Sequence, residues 1–145
     1  MGLDMFLKAR RYASEYNDAK LARDVAEAAG LSKYAESVSV DVEIGYWRKA
    51  NAVHAWFVDN VQGGVDDCRD AHVTREQLRT LRDLCVDTLT TRDSDLLAPR
   101  DGFFFGSITV DEYYWEDIAK TRDILTNALE DPSLKNCDFY YNSSW

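Results

Sequence analysis

With 145 residues, 26 acids against 17 bases and a net charge of −9, the chain has the length of one domain, 1–145. It carries too much negative charge to coat nucleic acid nonspecifically, though a basic protein surface remains a suitable partner. Apolar residues at 46% and charged residues at 30% exclude disorder, and no apolar run approaches a membrane span.

Gly2 to Arg10 alternates: Leu3, Met5, Leu7 and Ala9 against Asp4, Phe6, Lys8 and Arg10. Period two predicts a strand with one wet face. Asp18 to Ala29 predicts a helix with Leu21, Val25 and Ala28 as its apolar stripe and Gly30 as its stop. Ser37 to Gly45 predicts a strand with Val38, Val40, Val42 and Ile44 on one face. A second helix is expected from Tyr46 to about Val61, ended by Gly63 and Gly64.

Val65 to His72 reads as loop. Thr74 opens Thr-Arg-Glu-Gln, a capping box that starts a third helix running to about Thr91, with Leu78, Leu81, Cys85 and Leu89 inward. Arg92 to Gly102 reads as linker, and GFFFG as a short aromatic run between glycines. Thr109 opens Thr-Val-Asp-Glu, a second capping box, for a last helix to about Leu129. Tyr114, Ile118, Thr121, Leu125 and Leu129 share its inner face. Cys137 to Trp145 predicts a C-terminal strand. The fold class is therefore α+β: about four helices on a small, mainly antiparallel sheet of three strands, N-terminal, central and C-terminal.

The stretch YWRKANAVHAWF, Tyr46 to Phe57, carries polar residues on an apolar helix. Helical spacing stacks Trp47, Asn51, His54 and Val58, and Arg48 and Lys49 fall in the first turn, where the helix dipole disfavours cations. Asn51 and His54 read either as satisfied core residues or as the directional bonds of a pocket wall, with Arg48 and Lys49 drawing an anion to a helix N-terminus. GFFFGS, Gly102 to Ser107, reads either as a buried plug or as an aromatic platform that stacks a ring. Asp66, Asp67, Cys68, Asp70 and His72 are metal-ligand types, but their spacing matches no metal site, so no metal is expected. Asp111, Glu112, Glu116 and Asp117 suit the start of a helix without chemistry. No nucleophile elbow, P-loop, zincin or dinucleotide motif occurs, so no catalytic residue and no cofactor is assigned. Cys68, Cys85 and Cys137, an odd set with no CxxC, predict reduced thiols in a cytoplasm. MGLDMFLKARR has no signal-peptide core, and Phe6 stands where a myristoylation signal has Ser or Thr.

The blocks MGLDM, YWRKANAVHAWFVDNVQ, GFFFGS with DEYYWED, and YYNSSW resemble a family of small proteins of phages and prophages, without an assigned biochemical role. The resemblance covers most of the chain, least Tyr12 to Ser37 and Arg92 to Arg100. Phe6 departs from the Tyr expected there. The resemblance implies an accessory protein acting against host defence in the host cytoplasm, and it brings Trp47, Arg48, Lys49, Asn51, His54, Phe104, Gly106 and Tyr114 together as ligand-binding candidates. Three functions compete. The first is sequestration of a small anionic, nucleotide-like ligand, the second inhibition of a host defence protein by an acidic surface, the third a small enzyme acting on a nucleotide or protein. Homo-oligomer formation is left open.

Overall fold

The structure, a computed structural model, describes residues 2–102 and 107–145. The alternation at the start of the chain forms β1 (Asp4–Ser14), longer than expected. Leu3, Met5, Leu7 and Ala9 are buried on its inner face, and Asp4, Phe6, Lys8 and Arg10 lie on the other. β1 is central. It pairs antiparallel with β2 (Ser37–Arg48) on one side and β4 (Asp138–Ser144) on the other. β3 (Ala71–Val73) adds to the far edge of β4, giving the order β2-β1-β4-β3.

The sheet thus has four strands, not three. The extra strand overlaps the end of the Val65 to His72 segment expected to be loop and extends to Val73. Its three residues are too few to show a period, and pairing to Phe139, Tyr140 and Tyr141 creates it. β2 also runs past its expected end. Tyr46, Trp47 and Arg48 continue the ladder opposite Phe6, Met5 and Asp4, so the helix expected from Tyr46 begins at Asn51.

A bulge breaks the alternation that grouped Ile44 with Val38, Val40 and Val42. The register steps from Leu7–Gly45 to Lys8–Glu43, leaving Ile44 as the extra residue. Gly45 and Trp47 then take the inner face opposite Leu7 and Met5. Val38 and Val40 are half-buried, and Val42 is 54% exposed. Gly45 is glycine for a packing reason: a Cβ there would lie 2.7 Å from Ile124 Cγ2 and 3.2 Å from the Trp47 ring.

α1 (Ala19–Ala28) is capped by Asp18, whose carboxylate accepts the Leu21 N–H at 3.1 Å. It buries Ala22 and Ala26, with Leu21 and Val25 only half-buried and Ala28 exposed, so the expected stripe is displaced. The cause is its neighbour: α1 packs on β1 where the inner residues are Ala9 and Ala13, and small side chains let the two approach closely.

α2 (Asn51–Asn60) is buried on most sides, through Asn51 to Ala55, Phe57 and Val58. α3 (Arg75–Thr91) starts with the expected Thr74–Gln77 capping box. α4 (Glu112–Glu130) is capped by Asp111, not Thr109; the Thr109 N–H instead bonds Ser107 Oγ at 3.0 Å in a local turn. The core between helices and sheet is aromatic at its centre. Phe57 stacks on Tyr141 at 3.9 Å between centroids, and the Trp47 indole N–H donates to Thr121 Oγ1 at 2.8 Å. No helix among the described residues is long and apolar enough to cross a membrane.

Candidate functional site

The chain turns from β2 into α2 through Arg48, Lys49 and Ala50. Lys49 is in the left-handed region, φ 56°. Its N–H donates to Leu3 O at 2.7 Å and its carbonyl accepts the Asn51 N–H at 2.9 Å. Holding a non-glycine residue there costs on the order of 1–3 kcal/mol, so the surroundings impose it. Arg48 and Lys49 therefore precede the helix and do not occupy its first turn as expected.

The N-terminus of α2 is bare. Ala50 offers no side-chain cap, and the first turn holds no acid. The first helical backbone bond is from the His54 N–H to Ala50 O, at 2.9 Å. Among the described residues the Ala52 and Val53 N–H groups have no acceptor. These groups, with Arg48, Lys49 and Asn51, form one wall of a cleft of about 300 Å³. The opposite wall is Ser107, Thr109 and the first turns of α4, with Asp111, Tyr114 and Asp117.

Asn51 ties the walls together. It is 5% exposed, and its Nδ2 donates to Ser107 O at 2.5 Å. Tyr114 also lines the cleft; its hydroxyl donates to Leu97 O at 2.8 Å, and burial pushes the phenol up to about 12. Asp117 has no side-chain partner among the described residues. Burial pushes its carboxyl up to about 6; Lys120 opposes this, and Glu116 and Asp111 add to it. Asp111 uses its carboxylate to accept the Tyr114 N–H at 3.1 Å.

The other basic stretch is neutralised. Arg10 holds Asp41 through two bonds of 2.6 and 2.8 Å, meets Asp70 at 3.1 Å, and lies over the Tyr140 ring. Lys8 also meets Asp70, and Arg11 pairs with Asp18 at 3.0 Å. Arg48 and Lys49 make no ion pair among the described residues.

The sequence candidates separate into groups. Arg48, Lys49, Asn51 and Tyr114 line the cleft. Trp47 is fully buried in the core. His54 is fully buried and faces elsewhere: Nδ1 meets the Tyr141 hydroxyl at 2.6 Å and Nε2 meets Asp66 Oδ1 at 3.0 Å. The carboxylate accepts from Nε2–H, which leaves Nδ1 to accept from Tyr141. Asp66 also accepts the Trp145 indole N–H at 3.2 Å. Burial holds His54 below its ordinary 6.5, despite Asp66, and raises the Tyr141 phenol. This network fastens α2 to β4. Phe104 and Gly106 lie outside the described residues, as does most of the aromatic run.

Asp117 and Ser107 were not singled out by sequence reasoning as site residues. Asp117 stands three residues after Tyr114, a spacing that places both on one helix face. The acids of Val65 to His72 disperse: Asp66 to His54, Asp67 to Arg69, Asp70 to β1. Among the described residues no group of His, Cys, Asp and Glu is placed to hold a metal ion. Comparison with known proteins finds no matching family model, no matching curated protein and no matching solved structure.

Proposed function

We propose that the protein binds and sequesters a small anionic, nucleotide-like ligand in the cleft at the start of α2. The observation that carries this reading is the pair of cations, Arg48 and Lys49, beside a helix N-terminus with no capping side chain. On β1 each cation pairs with a carboxylate, whereas among the described residues Arg48 and Lys49 form no ion pair. A cleft of about 300 Å³ stands at the small end of ligand sites and suits a mononucleotide or smaller group. The phage resemblance supplies the biological setting, a ligand withdrawn from host defence, and rests on the sequence blocks alone.

The test is a titration of ¹⁵N-labelled protein with adenosine monophosphate. Binding should shift the Ala52 and Val53 amides first, and Lys49→Ala should remove the shifts while the remaining spectrum stays folded. Unmoved amides at 10-millimolar nucleotide, on the order of the weakest useful affinity, would end the proposal.

A second reading is inhibition of a host protein through an exposed surface. It is favoured by the edge position of β2, where Val42 is 54% exposed, and by exposed Tyr12, Tyr16, Leu31 and Tyr34. It predicts a complex that survives Lys49→Ala and is weakened by Val42→Asp.

A further inference from the structure

Charges of both signs line the cleft without touching. Arg48 and Lys49 come from the β2–α2 turn, and Asp111 and Asp117 from the start of α4. None of the four makes an ion pair among the described residues. A plain anion drawn to Arg48 and Lys49 would therefore sit near two carboxylates, which repel it. Asp111 is already engaged in capping α4. Asp117 is half-buried and its carboxylate is unpartnered among the described residues. Its helix neighbour Lys120 makes no ion pair with it; the ammonium lies over the Tyr46 ring instead, 5.7 Å from the centroid.

We infer that the ligand is a zwitterion, with its anionic group against Arg48 and Lys49 and an ammonium group against Asp117. This rests on the cleft being a ligand site. One molecule bearing both charges satisfies each wall with the group it lacks and avoids the repulsion that a bare anion meets. It also removes the cost of a desolvated carboxylate, the cause of the upward displacement at Asp117. Aminoalkyl phosphates, a charged amine on a short chain ending in phosphate, represent the class.

The experiment titrates the full chain at pH 7.5 with inorganic phosphate, phosphoethanolamine and its propyl, butyl and pentyl homologues, following the Ala52, Val53 and Asp117 amides. At least one homologue should bind about tenfold tighter than phosphate, and Asp117→Asn should bring that ratio close to one. If phosphate moves Ala52 and Val53 but no homologue binds tighter, the zwitterion inference falls and the anion site stands. A preference that persists in Asp117→Asn also overturns it. If no probe moves these amides, the cleft is not an anion site and both readings fall.

Discussion

Asp117→Asn tests the electrostatics of the cleft without any ligand. Burial raises this carboxyl from its ordinary 3.8 to about 6. At about 1.36 kcal/mol for each tenfold step in acidity, that difference corresponds to about 3 kcal/mol. The side chain borders an open cleft, and solvent screening reduces the figure to about 1–2 kcal/mol. The sign follows from proton binding. Between 3.8 and about 6 the folded state holds the proton more tightly than the unfolded chain, so stability contributed by Asp117 is complete below 3.8 and is lost as pH rises through about 6. Asparagine does not titrate. Urea unfolding of both proteins from pH 3.5 to 8 should therefore give a difference that grows across that window in favour of the variant and is flat above about pH 7. Taking the difference cancels His54 and the other groups that titrate in both proteins. A constant difference across pH, or one that grows in favour of the wild type, would refute the assignment of a desolvated, unpartnered carboxylate.

His54→Leu should lower stability by about 2–4 kcal/mol, because it strands the buried Tyr141 hydroxyl and leaves Asp66 with only the Trp145 indole. Since burial holds His54 below 6.5, its contribution to stability should fall as pH drops below 6.5, so the stability difference between wild type and variant should shrink in thermal melts from pH 7.5 to 5. Lys49→Gly should raise stability by about 1 kcal/mol over Lys49→Ala, because only glycine relaxes φ 56°; equal melting temperatures would show that the turn is unstrained. Gly45→Ala should cost about 1–3 kcal/mol through its contact with Ile124 Cγ2. In a double-mutant cycle, Ile124→Ala should recover more than about 0.5 kcal/mol of that loss, and strict additivity would place the strain elsewhere.

The α+β class, the helix starts at Asp18 and Thr74 and the dry face of β1 were legible because each rests on a local signal: a cap or an unbroken period. The errors arise where local signals conflict with distant partners. Trp47 looks helical because the apolar residues after it are helical, yet its ladder to Met5 decides the matter. Ile44 continues an alternation that the bulge then breaks. Thr109 fits a capping box on paper, but the helix begins two residues later, where Asp111 caps it by accepting the Tyr114 N–H. At the site, Arg48, Lys49 and Asn51 stood out as polar residues in an apolar run. Asp117 did not, because an acid near a helix start is ordinary; only the fold reveals that it is half-buried and lines the same cleft as Arg48 and Lys49.

The central position of β1 has a kinetic consequence. Asp4 pairs with Ser144 and Arg10 with Asp138, so β1 waits for β4, more than a hundred residues later in the chain, before its second edge is closed. β3 pairs only with β4 and waits with it. Contacts of such separation bring a large loop-closure cost before any gain, which predicts slow folding for a chain of this size. Until β4 arrives, β1 and β2 can form only an antiparallel pair, joined through α1, with an apolar face and an open inner edge, which predicts that the chain is then most exposed to capture by a chaperone or by another copy of itself.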